Sequence, residues 1–275
     1  MFPLIGVMEL AETAADQADS LLLFDCRAAL GDLEKGRHDF EAGHIPGAVH
    51  ADLDRDLSSP PGDGGRHPLP VRAKLEARFQ DWGVSSDCVL VCYDQNNGAF
   101  AGRFWWLARW LGHENVRVLD GGLDAWVSGG NDLETECRQR SKGNFSATEP
   151  LTRSCELKDV LSQEHQLLDA RDAVRFRGEQ EPIDPVAGHI PGAVCVPFSG
   201  NLSDGHFKSA EDLDMHFRAL GLNRSDDLVC YCGSGVTAIH NILALKIAGY
   251  PEPALYAGSW SEWIRDPERP VATGD

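Results

Sequence analysis

The chain repeats itself at long range. The segment EAGHIPGAVHADLDRDLS, from Glu41 to Ser58, returns as VAGHIPGAVCVPFSGNLS from Val186 to Ser203. LLLFDCR around Asp25 returns as QLLDAR around Asp169, LVCYD at Leu90 as LVCYC at Leu228, and LDGGLDAWVSGG is answered by YAGSWSEWIRDP. Asp25 and Asp169 stand 144 residues apart, His44 and His189 145, and Cys92 and Cys230 138. A solenoid repeats every 20–50 residues or so, far less than this. A duplicated domain is what remains, and 275 residues suffice for two cores of ordinary size. The expected division is 1–132 for the first domain, a polar linker over 133–152, and 153–275 for the second.

Each copy runs in the same order. Apolar runs ending in Asp, Leu21–Asp25 and Leu167–Asp169, read as buried strands. Gly-His-Ile-Pro-Gly is a turn signal before a second short strand at Ala48–His50 or Ala193–Val196. VRAKLEARFQDWG and EDLDMHFRALG carry apolar residues at helical spacing and stop at Gly. A Val-rich run follows (Val89–Tyr93; Leu228–Tyr231), then a small-residue loop and another helix. Strands alternating with helices predict an α/β fold, in each copy a mainly parallel sheet flanked by helices. In such sheets ligands gather at the carboxyl ends of strands, which puts the segment after Tyr231 in the working position. Phe100, Trp105, Trp106 and Trp110 have the spacing of a packed helix face, with Phe100 the one near the loop.

Composition closes off several function classes. The formal charge of −18 argues against a nucleic-acid partner, and no apolar run approaches the roughly 20 residues that span a bilayer. The start of the chain turns acidic at once, unlike a secretory signal. Eight scattered cysteines do not make a disulfide framework in a chain this long; they suit a reducing compartment, with the cytoplasm as the expectation.

The two copies differ where chemistry is expected. Cys92 corresponds to Cys230, a small core residue inside an apolar strand, or less simply a resolving thiol for its neighbour. Asp94 corresponds to Cys232, at the strand's end. Cys-x-Cys with no nearby ligand pair cannot complete a tetrahedral metal site, and no Cys-x-x-Cys pair is present. A single nucleophilic thiol is left. In CGSGVTA the small residues let backbone N–H groups turn toward the sulfur, and the helix that follows, with Thr237 as candidate N-cap, adds its positive amino end. Such a cradle favours a thiolate, or a persulfide anion, over the neutral thiol. A cysteine phosphatase needs Arg six residues after its nucleophile, and here that position is Ala238.

With Gly-His-Ile-Pro-Gly-Ala-Val in both halves and CGSGVTA in the second alone, the chain resembles the two-domain rhodanese family over nearly its whole length. The resemblance implies a sulfurtransferase of two tandem rhodanese-like domains, the first catalytically silent. Cys232 would carry sulfur as a persulfide from a small-molecule donor to a thiol or thioredoxin acceptor, with no metal or organic cofactor. The loop is similar to that of the family's mercaptopyruvate-using branch, whereas thiosulfate-preferring members usually carry a basic loop; a non-turnover persulfide carrier is a further alternative. By the same resemblance, Ser234 is catalytic and Gly233, Gly235, Val236 and Thr237 bind the donor. Arg175 grips its carboxylate. The branch's second arginine is missing from EQEPIDPVAG, leaving Arg177 as a possible substitute. A Ser-His-Asp relay would draw on His44 and Asp32. Against that role, His44 recurs as His189, as a turn residue would, and Asp25 and Asp169 recur as structural groups.

Overall fold

The computed structural model describes residues 2–17, 20–137, 140–162 and 164–275. Two compact units emerge. The first holds Met1–Ser59, Pro70–Leu151 and Asp204–His206; the second holds Pro60–Leu69, Thr152–Ser203 and Phe207–Asp275.

In the first unit the order is β1 (Leu4–Ile5), α1 (Val7–Asp16), β2 (Leu21–Asp25), α2 (Lys35–Ala42), β3 (Ala48–His50), α3 (Arg72–Asp81), β4 (Val89–Tyr93), α4 (Ala99–Trp110), β5 (Val116–Leu119) and α5 (Gly122–Ser128). The sheet order is β1-β5-β4-β2-β3, with parallel pairing throughout. The second unit repeats the plan with β6 (Arg153–Cys155), α6 (Leu157–Leu161), β7 (Gln166–Asp169), α7 (Ala173–Phe176), β8 (Val194–Cys195), a 3-10 turn at Phe198–Asn201, the short strands β9 (Leu202–Ser203) and β10 (His206–Phe207), α8 (Ala210–Ala219), β11 (Leu228–Tyr231), α9 (Ala238–Ile247), β12 (Ala254–Tyr256) and α10 (Ser259–Trp263). Its main sheet, β6-β12-β11-β7-β8, is parallel as well.

Every residue of β2, β4 and β11 is buried, which explains their unbroken apolar runs. A parallel sheet is covered on both faces, so alternation has no use there. The helices following β4 and β11 obey the same rule. Trp105 and Trp106 of α4 are buried, and nine of the ten residues of α9 are buried, because a helix apolar all round needs neighbours all round.

The Gly-His-Ile-Pro-Gly turns are fixed identically in the two units. Asp25 holds the guanidinium of Arg27 in a buried fork, and Arg27 Nη2 reaches Gly43 O at 2.7 Å; Asp169, Arg171 and Gly188 O repeat the arrangement at 2.7 Å. Each turn histidine has Nδ1 against a phenylalanine carbonyl, His44 against Phe40 at 2.7 Å and His189 against Phe176 at 2.8 Å, and stacks on that phenylalanine ring.

The polar segment expected to link the domains packs on the first unit, which runs to Leu151. Glu134 pairs with His44 through backbone bonds of 2.9 Å, Phe145 N–H donates to Val84 O, and the Phe145 ring lies 5.8 Å from Phe79. An extended stretch held by backbone bonds needs only one apolar anchor, so its sequence shows no period. Residues 138 and 139 of that segment lie outside the described residues.

His113, which follows α4, is 3% exposed, and burial pushes its pKa below the ordinary 6.5. The folded chain therefore holds the neutral ring, and the unfolded chain binds the extra proton first. This contribution is complete above 6.5 and is lost as pH falls from there through the folded value. In denaturant titrations, the stability difference between wild type and His113→Gln should shrink as pH drops from about 7.5 to about 5.5. A constant difference would remove His113 as the cause.

Candidate active site

Cys232 stands where β11 ends, 2% exposed. The chain then turns through Gly235, whose φ of +75° brings its N–H to 3.2 Å from Cys232 Sγ. A Cβ there would lie 2.3 Å from Ala257 O, so only glycine closes this turn. The thiol position is fixed from behind as well. Cys232 N–H donates to Ser259 Oγ at 3.1 Å, and that hydroxyl donates to Tyr256 O at 2.9 Å. Trp260 N–H and Ser261 N–H take the carbonyls of Cys232 and Gly233 at 3.0 and 2.9 Å. Thr237, expected as an N-cap, already has helical angles of −69° and −15° and makes no side-chain cap bond. A capping hydroxyl needs an extended backbone to reach forward, and this residue lacks one.

Ser234 is bonded to a residue that sequence reading passed over. His67 Nδ1 lies 2.7 Å from Ser234 Oγ, and both groups are buried. The relay expected of His44 and Asp32 is not built: His44 is committed to Phe40, and Asp32 accepts the N–H groups of Glu34 and Lys35 in an exposed turn. His67 lies in PPGDGGRHPLP, a Gly- and Pro-rich stretch whose adjacent Arg and His were the available signal. The repeat drew attention away from it, because this stretch belongs with the second unit although it is encoded within the first half.

Arg175, on α7, grips Glu181 through Nη2 at 2.6 Å and Nε at 3.1 Å, and approaches Asp184 at 3.4 Å. Asp184 also pairs with the guanidinium of Arg66. Burial by itself would raise Glu181, yet the Arg175 hydrogen bonds and the N–H groups of Asp184 and Ile183 hold it below the usual range; burial keeps Asp184 above it despite Arg66. Both guanidiniums flank the thiol loop. A Cβ on Gly233 would fall 2.7 Å from Arg66 Nη2 and 3.6 Å from Arg175 Nη2. Arg177, the alternative second arginine, pairs instead with the exposed Glu179 at 2.8 Å.

The same loop in the first unit carries Asp94. Its buried carboxylate accepts N–H groups from Gly98, Phe100, Ala101 and Asn97 at 2.9–3.2 Å. Burial raises the Asp94 carboxyl while these N–H groups act to lower it, and Cys232 holds the corresponding strand end in the second unit, its sulfur facing the Gly235 N–H. Cys230 is fully buried, and burial pushes its thiol well up. Among the described residues no group of three or more His, Cys, Asp or Glu could hold a metal ion, and no helix is long and apolar enough to cross a membrane.

The model of the rhodanese-like domain matches residues 8–129 and again 155–266. The chain belongs to the rhodanese-like domain family. A Pseudomonas aeruginosa relative named "Probable 3-mercaptopyruvate sulfurtransferase" is 52% identical over 264 residues, 93% of either chain. The thiosulfate sulfurtransferase of Gallus gallus is 39% identical over 83% of this chain and 81% of its own. The crystal structure of SseA from Escherichia coli, described as a 3-mercaptopyruvate sulfotransferase with the rhodanese fold, superposes with a TM-score of 0.83 at 34% identity, covering 95% of this chain and 100% of that one.

Within this rhodanese-like chain, Ser259 is a fully buried residue other than glycine with φ of +54°, held there for its hydroxyl. The first unit has Gly122 at the matching position, with φ of +58°. Ser259→Ala keeps the strained backbone and strands Cys232 N–H, an expected loss of about 1–3 kcal/mol. Ser259→Gly relieves the backbone while losing the same bond, and should cost less. Denaturant midpoints of the two variants test this, and an alanine variant as stable as the glycine one would contradict it.

Proposed function

We propose that this sulfurtransferase moves sulfur from 3-mercaptopyruvate through a persulfide on Cys232 to a thiol acceptor. The observation that carries the reading is the thiol at the strand end, in contact with the Gly235 N–H, beside a hydrogen-bonded Ser234–His67 pair and two guanidiniums. The Cys232 thiolate attacks the donor sulfur and forms an S–S bond. The donor's carbon–sulfur pair of electrons stays on carbon as the enolate of pyruvate, and the donor's thiol proton ends on that carbon. The products are pyruvate and a persulfide anion, so charge and protons balance without an added oxidant. In this reading the bonded Ser234–His67 pair hands on the proton, and the Gly235 N–H faces the anionic sulfur. A thiol or thioredoxin then takes the outer sulfur and regenerates the thiolate, a two-stage covalent cycle. A reducing compartment such as the cytoplasm suits eight free cysteines and a thiol acceptor.

Thiosulfate as donor is the second reading, and one observation favours it. The loop itself is uncharged, yet Arg66 and Arg175 stand beside Gly233. A neutral loop sequence therefore does not make a neutral site, and a sulfonate would also find cations there.

A steady-state assay with cyanide as acceptor, run with each donor in turn, tests the reading. Turnover with 3-mercaptopyruvate should exceed that with thiosulfate and vanish in Cys232→Ser; a serine variant that still transfers sulfur would sink it. Ser234→Ala and His67→Asn should each lower kcat by about 10²–10⁴-fold if the pair handles the proton. Full kcat in both would leave the pair a structural bond.

A further inference from the structure

We propose that Arg66 is the second guanidinium of the donor site, and that Asp184 is the internal anion whose place the donor's carboxylate takes. The proposal rests on the sulfur-transfer reading for the identity of the donor, but not for the site itself.

The position of Arg66 is set by its neighbours on both sides. Gly65, with φ of +96°, lies so close to α10 that a Cβ would meet Ser261 Oγ at 2.6 Å and Gly258 O at 2.8 Å. Arg66 N–H donates to Ser261 Oγ at 3.0 Å, and His67 is tied to Ser234. Ser261 N–H in turn holds the carbonyl of Gly233, the residue after the thiol. Residues 65–67 are therefore held at three successive positions, Gly65 and Arg66 against α10 and His67, through its ring, on the nucleophile loop, and the Arg66 side chain runs beside that loop. Its Nη2 ends 2.7 Å from where a Cβ of Gly233 would be, with Arg175 on the same spot at 3.6 and 3.8 Å. A side chain at 233 would have to displace a guanidinium, and a basic one would be placed against two cations. Glycine at this position is the counterpart of delivering the charge from elsewhere.

The two cations are not idle in the resting protein. Glu181 occupies the fork of Arg175 and is shared with Arg171, whose Nη1 lies 3.3 Å from it. Asp184 bridges Arg66 and Arg175. These partners differ in how firmly they are held. Glu181 makes two bonds to Arg175 and accepts the N–H groups of Ile183 and Asp184 at 3.1 Å. Asp184 has the 3.4 Å contact to Arg175 and its pairing with Arg66, and burial keeps its carboxyl above the ordinary range. Asp184 is thus the weaker-held of the two carboxylates and the one an incoming carboxylate can replace. The Arg66 side chain is 27% exposed, which leaves its head within reach of a ligand from solvent. A monoanion exchanged for Asp184 keeps the number of anions on the two guanidiniums unchanged.

The test separates binding from turnover. In the Cys232→Ser background, which holds the donor without consuming it, calorimetry measures 3-mercaptopyruvate binding directly. Adding Arg66→Met should weaken it by about tenfold or more, and Arg66→Lys by less, since a point charge remains without the fork. Adding Asp184→Asn removes the rival anion and should tighten binding severalfold. In the thiol-bearing enzyme Arg66→Met should raise KM by a matching factor while kcat falls by less than about threefold. Affinity in Arg66→Met within about twofold of its parent overturns the proposal, and binding no tighter in Asp184→Asn overturns the exchange. An Arg66-dependent affinity in a protein that never turns the donor over would uphold the site and reject the sulfur-transfer reading. Near-ultraviolet dichroism verifies folding, and should Arg66→Met fail to fold, Arg66→Lys and Asp184→Asn decide alone.

Discussion

The second unit is organised around one buried ion pair. Arg171 holds Asp169 in a fork of 2.6–3.1 Å, with both side chains nearly inaccessible. A pair so placed is weak evidence of net stability, because removing two charges from water costs nearly what their attraction returns. Its value here is positional. The same guanidinium donates to Gly188 O, contacts Glu181, and lies 4.8 Å from the Trp260 ring, where it gains a cation–π attraction. One side chain thereby ties the end of β7, the Gly-His-Ile-Pro-Gly turn, the acidic segment beside Arg175, and the helix whose N–H groups hold the thiol loop. Removing the arginine would leave a buried carboxylate uncompensated and four segments without a common point.

The repeat isolates what the chemistry requires. Both units have the Asp–Arg fork, the stacked turn histidine, the tyrosine hydroxyl that accepts the turn's N–H (Tyr93 from Ile45, Tyr231 from Ile190), and a strand ending in a loop that cradles the next residue, with four backbone N–H groups on Asp94 in the first unit and that of Gly235 on Cys232 in the second. In the first unit the cradle is filled permanently by Asp94, whose carboxylate cannot attack sulfur or leave. In the second it holds a thiol, and the left-handed position facing it changes from Gly122 to Ser259 so that a hydroxyl can take the cysteine N–H. Scaffold features recur in both copies, and the proposed working site lies where the copies differ.

The same logic explains what could be read from the sequence and what could not. Strands buried on both faces announce themselves as apolar runs, so β2, β4, β7 and β11 were legible, as was Cys232 through its mismatch with Asp94. Edge strands such as β1 and β6, of two and three residues, carry too little pattern to be seen. His67 and Arg66 were hidden for a topological reason. A repeat comparison assigns residues 60–69 to the first copy, whereas the folded chain assigns them to the second unit. His44 drew the relay assignment because it lies in the most prominent motif, but its duplication as His189 already pointed to a turn. The acidic residues of EQEPIDPVAG looked like a lost arginine motif; in the fold they are the partners of arginines from two other segments.

This arrangement resolves the conflict between a formal charge of −18 and an anionic donor. Surface carboxylates act through water and salt, and at physiological ionic strength their influence fades beyond about 8 Å. A guanidinium beside the thiol loop acts at contact distance, where direct hydrogen bonds to a carboxylate outweigh the screened background. The global field therefore affects how often an anion arrives, and the local pair affects how long it stays. Keeping Arg66 and Arg175 paired with Glu181 and Asp184 serves the same end. Unpaired cations beside the loop would be drawn to stray anions, while paired ones stay in place until a ligand of the right charge and shape competes. In the proposed exchange a donor with one carboxylate replaces Asp184 and leaves Glu181 undisturbed, so the acidic pair takes part in selection together with the arginines it restrains.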